Sequence, residues 1–455
     1  MDATTHDQTS AGEQKPTAGQ SERKASHVYQ KKPRASAHKS NALQAGIREF
    51  LSTPESQSLL SKLGIQLNTI AASLPKRYTI YEPLVLLPAN AFNAPPAWGT
   101  FCAALSPEQK KILYASIAKA FGRLGASHVA VNAPIALTAQ GQENRMRSPA
   151  GLIPLHGNFG DCSGITGDES AQPDQQDLEN AFWVQTVQNH GIQQIWAPLY
   201  TMFSRGNITE KARILGQGPS QGTFPGLDEK SLQGQQISDI SVVDMYAGIG
   251  YFVFSYLKRG VKRVWGWELN GWSVEGLRRG CEANKWGCRV IRVLENGGLD
   301  TTIEDLVASL TANDRVVIFH GDNRFAAQIL LQIQNYMEQR KQWSPIRHVN
   351  LGLLPSSRPS WDYACRVLDH QQGGWIHVHE NVDVREIDEM KEKLKIKLQA
   401  FRKLVHAEDE IPGEPVVDCC HVEHVKTYAP GVMHCVFDFQ VMLPAERSNH
   451  EKLET

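Results

Sequence analysis

The second half of the chain alternates short apolar runs with amphipathic stretches. From Ile237 onward, each apolar run is followed by residues whose apolar positions recur at helical spacing. This rhythm is typical of a mostly parallel β-sheet that is covered by helices on both faces. The predicted strands are Ile240–Asp244, Arg263–Glu268, Val316–His320, His348–Gly352 and Trp375–His379.

Helices are predicted between these strands, first over Tyr251–Lys258 and then over Ser273–Asn284. A longer helix over Val384–Leu404 carries an apolar stripe that predicts burial against the core. The turn Tyr428–Gly431 separates two further strand-like runs, so the sheet is predicted to end in an antiparallel hairpin. We therefore expect a Rossmann-type α/β domain over residues 237–445.

The first half of the chain has a mixed pattern. Pro107 opens a predicted helix, His128-Val-Ala-Val131 predicts a strand, and Ser61-Lys-Leu-Gly64 predicts a turn after a helix. These pieces indicate a smaller α+β domain over residues 46–192. Between Gly157 and Leu178 the chain is rich in Gly, Asp, Ser and Pro, which predicts a loop insertion.

Polar segments connect and flank these domains. A connecting segment over residues 193–236 includes a second loop, Gly216–Gln236. Residues 1–45 and 446–455 are predicted to be disordered or polar tails, because they hold few large aliphatic side chains. From Arg23 to Arg48 there are seven Lys and Arg and no acidic residue. This stretch either contacts RNA phosphates or acts as a solubilising tail.

Composition narrows the class of protein. Lys and Arg total 47 against 48 Asp and Glu, so binding to a polyanion would have to come from local patches. The eight cysteines include no Cys-x-x-Cys pair, which argues against structural zinc and a disulfide framework. Neither a signal peptide nor an apolar stretch of membrane-spanning length is visible. We expect a cytoplasmic protein that does not enter a membrane.

Gly248 and Gly250 mark the turn after the first predicted strand, Asp244-Met-Tyr-Ala-Gly-Ile-Gly250. Because glycine has no side chain, the backbone of this turn can come close to a ligand. A dinucleotide site would carry a third glycine at position 253, where this chain has Val253. The turn therefore predicts a nucleoside cofactor that lacks a pyrophosphate.

Acidic and amide side chains follow the next two strands. Glu268 lies where Rossmann-type domains place an acid that binds both ribose hydroxyls, although it is also a strand-end acid before the turn-forming Asn270. Asp322 and Asn323 can pair with the amino group and ring nitrogens of adenine, unless Asp322 is only a helix N-cap. The balance of these observations favours an adenosine ligand.

A helix start upstream offers a place for a carboxylate. Asn207 and Glu210 have the spacing of a capping box, with Ser204 before the helix and Lys211 on its first turns. A helix N-terminus with a nearby lysine suits an anion such as the carboxylate of a methionine moiety. Ordinary capping with a solvated lysine is the alternative.

The stretch after the fourth strand is a candidate for the substrate side. Ser356, Ser357 and Trp361 can hydrogen-bond to and stack on a nucleobase, although Trp361 is equally typical of a helix packed in the core. His377 and His379 alternate on one face of the fifth strand without an acidic or Cys partner at useful spacing, so we predict no metal site.

Six motifs in register resemble one family, the tRNA wybutosine-synthesizing protein 2 family in its fungal form. The resemblance covers about Trp196 to Phe439, and weaker similarity extends back through Leu74-Pro-Lys-Arg-Tyr78. The motifs are Met202-Phe-Ser-x-Gly-Asn-Ile-Thr-Glu-Lys211, Asp244-Met-Tyr-Ala-Gly-Ile-Gly-Tyr-Phe252, Trp267-Glu-Leu-Asn270, His320-Gly-Asp-Asn-Arg324, Leu351-Gly-Leu-Leu-Pro-Ser-Ser357 and Val425-Lys-Thr-Tyr-Ala-Pro-Gly431.

The resemblance implies a class I methyltransferase-like fold and a reaction that is not methyl transfer. Members of the family move the 3-amino-3-carboxypropyl group of S-adenosylmethionine to C7 of 4-demethylwyosine at position 37 of tRNA(Phe), and methylthioadenosine leaves. By the same resemblance the cofactor is bound by Ser204, Lys211, Glu268, Asp322 and Asn323. The extra stretch between Trp286 and Val316 and the loop Gly157–Leu178 have no counterpart in the family.

Two other functions stay open. The related tRNA guanine-N1 methyltransferases act at the same nucleotide and generally have Asn-Leu-Pro where this chain has Leu353-Leu-Pro355, which favours aminocarboxypropyl transfer. A tRNA-binding protein without turnover is the second alternative, and the presence of Ser204, Lys211 and Glu268 together argues against it. Neither a general base nor the oligomeric state can be named from the chain.

Overall fold

The structure is a computed structural model, and it describes residues 41–132, 152–160, 172–188, 191–201, 203–204, 207–217, 224–408, 410 and 413–443. The described residues belong to one compact unit, Asn41–Thr455. The predicted tail 446–455 and residues 1–40 of the predicted N-terminal tail lie outside the described residues. We keep the boundaries 46–192, 193–236 and 237–445 as a proposal.

The N-terminal part combines helices with short strands, as the sequence predicts. Pro107 does open a helix, whose start is closed by a capping box between Ser106 and Gln109. The elements in chain order are α1 Ala42–Leu51, α2 Pro54–Lys62, α3 Leu67–Ala72, β1 Thr79–Tyr81, β2 Leu84–Leu87, α4 Pro96–Ala104, α5 Pro107–Phe121, β3 His128–Asn132, β4 Leu152–His156, α6 Gln175–Asn180, β5 Val184–Gln188 and β6 Ile192–Trp196.

Strands β1 to β4 form a small sheet in that order, and β5 pairs with β6. The helices bury Ile47, Phe101, Ile117 and Phe121 against this sheet. One expectation was wrong here: the end of the predicted disordered tail, from Ala42, is the first turn of α1, where Leu43 is fully buried. Burial of this apolar side chain stabilises the helix start.

The C-terminal part is the predicted α/β domain. Its elements in chain order are α7 Ile208–Ile214, β7 Ser241–Asp244, α8 Val253–Arg259, β8 Arg263–Glu268, α9 Gly271–Ala283, β9 Gly287–Arg292, α10 Ile303–Ser309, β10 Asp314–His320, α11 Ala326–Gln339, β11 Ile346–Leu351, α12 Trp361–Val367, β12 Gly374–Asp383, α13 Ile387–Glu408, β13 Val416–Ala429 and β14 Val432–Met442.

These strands form one sheet in the order β13-β14-β12-β11-β7-β8-β10-β9. The pairs from β12 to β9 are parallel, and β14 runs antiparallel to both β12 and β13. The mostly parallel sheet and its closing hairpin therefore confirm the predicted fold. Because parallel strands end at one edge, Asp244, Glu268, His320 and Leu351 all lead into loops on the same side of the domain.

Side chains alternate between the two faces of this sheet, and each face has its own core. Val243 and Trp265 pack with α10 to α13, whereas their neighbours Val242 and Val264 pack with α8 and α9. Helices cover both faces, which explains why the central strands are apolar at nearly every position. A third cluster joins Tyr81 of the small sheet to Ile249 in the glycine turn.

Several boundaries differ from the prediction for physical reasons. Strand β9 and helix α10 were not predicted, because β9 is an edge strand whose side chains are mainly half-exposed and carry little apolar signal. Helix α8 begins at Val253 rather than Tyr251, since Gly250 has a φ of 87°. Among the described residues, no helix has the length and apolar character that crossing a membrane requires.

Candidate functional site

The glycine turn after β7 lies against the end of β8. Gly248 and Gly250 have φ values of 54° and 87°, a backbone region that favours glycine. The Gly248 N–H donates to Glu268 Oε2 at 2.8 Å, and the Ala247 N–H donates to the Trp267 carbonyl at 2.9 Å. The turn is thus fixed to the neighbouring strand by its own backbone.

Glu268 is held in one orientation by both of its carboxylate oxygens. Oε2 accepts the bond from Gly248, and Oε1 accepts from the Asn270 N–H at 2.8 Å. Asn270 is also the N-cap of α9, because its side chain accepts from the Trp272 N–H. A carboxylate oxygen can accept more than one hydrogen bond, so this fixed carboxylate is of a type that binds hydroxyl groups.

Asp322 and Asn323 follow the adjacent strand and lie at the same edge. His320 is the parallel partner of Glu268, and the Gly321 N–H donates to the Glu268 carbonyl at 3.0 Å. Asn323 Nδ2 donates to the Met245 carbonyl at 2.7 Å, which ties this loop to the glycine turn. Asp322 also caps a short 3₁₀ helix by accepting from the Arg324 N–H. We call Gly248, Glu268, Asp322 and Asn323 the nucleoside side, after the ligand part that the sequence predicts there.

Ser204 and Lys211 approach the glycine turn from a different segment. The Ser204 N–H donates to Tyr251 Oη at 3.0 Å. Lys211 Nζ lies 5.1 Å from the centre of the Tyr251 ring and donates to Gln194 Oε1 at 2.9 Å. Tyr251 follows Gly250 directly, so this one side chain joins both residues to the turn. We call Ser204, Lys211, Tyr251 and Gln194 the amino-acid side, after the ligand part that the sequence predicts for Ser204 and Lys211.

Lys211 is a buried cation. Its residue is 3% exposed, and burial lowers the pKa of its amine to about 7. Within the part of the chain that the structure describes, its contacts are the Gln194 amide and the rings of Phe203 and Tyr251, with no carboxylate among them. An anion beside Nζ would therefore restore its charge at neutral pH.

The structure excludes both the predicted capping box of this helix and the alternative of ordinary capping with a solvated lysine. The Asn207 side chain makes no capping bond, and Glu210 turns inward to pair with Arg213, so there is no capping box. Lys211 is not a solvated lysine either. The Arg213 guanidinium also pairs with Asp438 at 2.5 Å, and Glu210, Arg213 and Asp438 are all almost fully buried. This network fixes α7, and with it Lys211, to β14.

The two histidines of β12 have protein partners. His377 Nδ1 lies 2.6 Å from Asp438 Oδ1, and His379 Nδ1 lies 3.1 Å from His434 Nε2. Burial keeps the pKa of His379 well below its ordinary value. No group of His, Cys, Asp or Glu in the described ranges has an arrangement that could hold a metal ion.

The loop after β11 is organised by a residue that sequence reasoning missed, Glu380 of β12. Its Oε1 accepts from the Ser356 hydroxyl at 3.1 Å and from the N–H and hydroxyl of Ser357 at 3.0 and 3.2 Å. Trp361 is 4% exposed and donates its indole N–H to Ser357 Oγ, so it belongs to the core and has no free face for a base. Ser357 is also fully buried, which leaves Ser356 as the more accessible of the three.

Other missed residues are Tyr251, Gln194 and the buried Asp244. Asp244 Oδ1 accepts from the Tyr246 N–H, and burial raises the pKa of Asp244 to about 7. A tyrosine directly after the glycine turn was a usable signal, because a polar aromatic side chain there can reach a neighbouring segment. Gln194 lies on β6, on a different element from Ser204 and Lys211, and no motif in the surrounding sequence marks it as a site residue.

Comparison with known proteins agrees with the motifs. No protein-family model matches the chain. A tRNA wybutosine-synthesizing protein 2 from Schizosaccharomyces pombe is 36% identical over 370 residues, covering 81% of this chain and 73% of the relative. The Saccharomyces cerevisiae protein of the same name is 30% identical over 431 residues, covering 89% and 82%.

Among solved structures, that of P. horikoshii TYW2 in complex with MeSAdo is 18% identical, covers 86% of this chain and 98% of that chain, and has a TM-score of 0.45. The two fungal relatives match over most of their own length and most of this chain, and they carry one name. The chain therefore belongs to the tRNA wybutosine-synthesizing protein 2 family.

Proposed function

We propose that this protein transfers the 3-amino-3-carboxypropyl group of S-adenosylmethionine to C7 of 4-demethylwyosine at position 37 of tRNA(Phe) and releases methylthioadenosine. Membership of the family supports the reaction. One observation supports the choice of ligand. The nucleoside side contacts one part of the glycine turn, and Lys211, which is buried without a carboxylate partner among the described residues, lies beside Tyr251 at the end of the same turn.

The nucleoside side fits adenosine. Glu268 would accept hydrogen bonds from the ribose hydroxyls, because Gly248 and Asn270 already fix its orientation. Asp322 and Asn323 would face the adenine, where a carboxylate accepts from an amino group and an amide pairs with ring nitrogens. Gly248 and Gly250 give the turn beside that ligand its left-handed backbone conformation, which other residues rarely adopt.

The amino-acid side fits the methionine part of the ligand. Lys211 would bind the carboxylate. That interaction would be strong because Lys211 is buried and none of its contacts among the described residues is a competing carboxylate. The Ser204 hydroxyl would add a neutral hydrogen bond. Tyr251 sets the spacing between Ser204 and Lys211.

The chemistry requires orientation more than activation. In the ligand the positively charged sulfur already makes each of its three substituents transferable. The nucleophilic carbon C7 attacks the methylene next to sulfur, the carbon–sulfur bond breaks towards sulfur, and C7 then loses its proton. Fixing both ends of the ligand turns that methylene, rather than the methyl group, towards the acceptor.

The acceptor side is the loop Leu353–Ser357, which follows β11 at the same edge of the sheet. We infer that Ser356 contacts the tRNA base there, that Ser357 and Trp361 support the loop from within, and that Glu380 holds it. The basic stretch Arg23–Arg48 is a further candidate RNA contact, and residues 1–40 lie outside the described residues.

The deciding experiment uses S-adenosylmethionine labelled separately in the methyl group and in the aminocarboxypropyl group. The acceptor is tRNA(Phe) that carries 4-demethylwyosine. We expect only the aminocarboxypropyl label to reach tRNA, with one methylthioadenosine released for each transfer.

A parallel reaction with tRNA that carries unmodified guanosine at position 37 tests the first alternative. Methyl label in that tRNA, with release of S-adenosylhomocysteine, would identify a guanine-N1 methyltransferase and reject the proposal. Binding of cofactor and tRNA with neither label transferred would identify a tRNA-binding protein without turnover.

A further inference from the structure

Gln172, in the segment before α6, reaches across to the end of β8. Its side-chain Nε2 donates to the Leu269 carbonyl at 3.1 Å, and its Oε1 accepts from the Gly271 N–H at 2.9 Å. The amide thus satisfies the backbone groups on either side of Asn270 with one donor and one acceptor. It imitates the pairing that a neighbouring strand would make at this point.

The same side chain also contacts the next strand of the nucleoside side. His320 Nε2, at the end of β10, lies 3.2 Å from Gln172 Oε1. Since a carbonyl oxygen only accepts, the ring nitrogen is the donor. Gln172 therefore connects the strand ends that lead to Glu268 and to Asp322.

Gln172 can approach the backbone of α9 this closely because the first residue of the helix is a glycine. A Cβ on Gly271 would lie 2.8 Å from Gln172 Oε1 and 2.9 Å from the Pro173 ring. Both contacts are too short for a normal side chain, so Gly271 leaves the room that Gln172 and Pro173 occupy.

The chain beyond Gln172 is fastened to the same helix. Asp174 and Asp177 form a capping box at the start of α6, and Arg279 of α9 donates to the Leu178 carbonyl at 3.2 Å. Trp183 donates its indole N–H to that carbonyl as well, at 3.0 Å. Residues 172–183 are therefore attached to α9 near both of its ends.

We propose that Gln172 is a positioning residue for the ligand's nucleoside, acting through Glu268. The Asn270 N–H holds Glu268 Oε1, and Gln172 fixes the peptide groups on both sides of Asn270. The inference rests on the proposed function, since it assumes an adenosine ligand on Glu268. It assigns a role to a segment that has no counterpart in the motifs shared with the family.

The test compares Gln172→Ala with Gln175→Ala, a matched control three residues away. The Gln175 side chain is exposed, and it donates to Glu179 within α6. Dissociation constants for S-adenosylmethionine and for methylthioadenosine are measured by calorimetry. Because lost hydrogen bonds in an exposed setting contribute modestly, we expect Gln172→Ala to weaken both ligands by about fivefold. In turnover, KM for S-adenosylmethionine should rise by the same factor while kcat stays unchanged.

Gly271→Ala is the second variant, because its methyl group displaces Gln172 without removing it. Gly271→Ala should also lower the affinity for both ligands, and Gln175→Ala should leave both affinities unchanged. Wild-type affinity for both ligands in Gln172→Ala would overturn the inference. Failure of the wild-type protein to bind either ligand would instead overturn the proposed function, so the two failures are distinguishable.

Discussion

The two ends of the candidate cofactor site are built in different ways. The nucleoside side consists of residues at or just after the ends of neighbouring parallel strands, and its carboxylates are oriented by backbone N–H groups a few residues away or in the turn after the next strand. The amino-acid side joins α7, the glycine turn and β6, and it places a lysine where water is excluded. One end is a local consequence of strand order, and the other depends on packing.

This difference has an energetic consequence. Orienting Glu268 needs little burial, because the residue remains partly exposed at the strand end. Burying the Lys211 amine destabilises its charged form, whereas the Glu210–Arg213–Asp438 network holds α7, and so the amine, in its buried position. The two sides should therefore respond differently to ligand truncation and to pH.

The largest expected effect comes from Glu268→Ala. Hydrogen bonds to a charged group contribute roughly 1.5–3 kcal/mol each, so the loss of two should weaken S-adenosylmethionine by about 1,000-fold. Methylthioadenosine, which has the same nucleoside, should weaken equally, as measured by calorimetry. Glu282→Ala, at an exposed glutamate of α9, is the control. A selective loss of S-adenosylmethionine would place Glu268 on the other side of the site.

Lys211→Met should lower the affinity for a ligand that has the amino-acid part and leave the affinity for the nucleoside part unchanged. Removing one partner of a buried ion pair costs roughly 3–5 kcal/mol, so S-adenosylmethionine should bind at least about 100-fold more weakly. Methylthioadenosine has no carboxylate and should keep its affinity within about threefold. Lys258→Met, at an exposed lysine of α8, provides the matched control. Equal weakening of both ligands would show that Lys211 does not bind the carboxylate.

The pH dependence of binding tests the same difference between the amino-acid side and the nucleoside side. Below its pKa of about 7 the Lys211 amine is charged, and above it the free protein loses this charge. A bound carboxylate raises that pKa, so S-adenosylmethionine affinity should fall by up to about tenfold per pH unit above 7 until the pKa of the complex is reached.

The ligand's own amino group also titrates in this range. Lys211→Met therefore serves as the reference, since it keeps the ligand titration and lacks the lysine. A pH profile that is the same in both proteins would contradict the assignment. Methylthioadenosine has no carboxylate for Lys211, so its pH profile should be the same in the wild-type protein and in Lys211→Met.

The smallest effect is expected on the acceptor side. Glu380→Gln keeps an oxygen for Ser356 and Ser357 but removes the charge, and charge-assisted hydrogen bonds are about twice as strong as neutral ones, so KM for tRNA should rise by about fivefold. Affinity for both small ligands should be unchanged. Glu389→Gln on the exposed face of α13 is the control. A loss of cofactor affinity would show that this loop belongs to the cofactor site.

Much of the fold was predictable because the central strands are buried on both faces. Strand β8 has the predicted bounds, and Gly248, Glu268, Asp322 and Asn323 meet at one edge as parallel strand order requires. Edge strand β9 was missed because half-exposed side chains give no clear periodicity. The prediction that Trp361 stacks on a base was wrong, because Trp361 is buried and the sequence around a tryptophan after a Pro-rich turn does not show whether it is buried or exposed.

The amino-acid sequence by itself determined the sheet class, the position of the glycine turn, the common sheet edge of Glu268 and Asp322 and, through six motifs, the family. Each of these depends on residues close in the chain or on a strand order that apolar runs dictate. Only the tertiary structure decided that Glu210 faces inward, that Lys211 is buried, and that Tyr251, Glu380 and Gln172 organise the surroundings of the site. Burial and long-range hydrogen bonds join segments that are far apart in sequence, so the local sequence pattern does not predict these contacts.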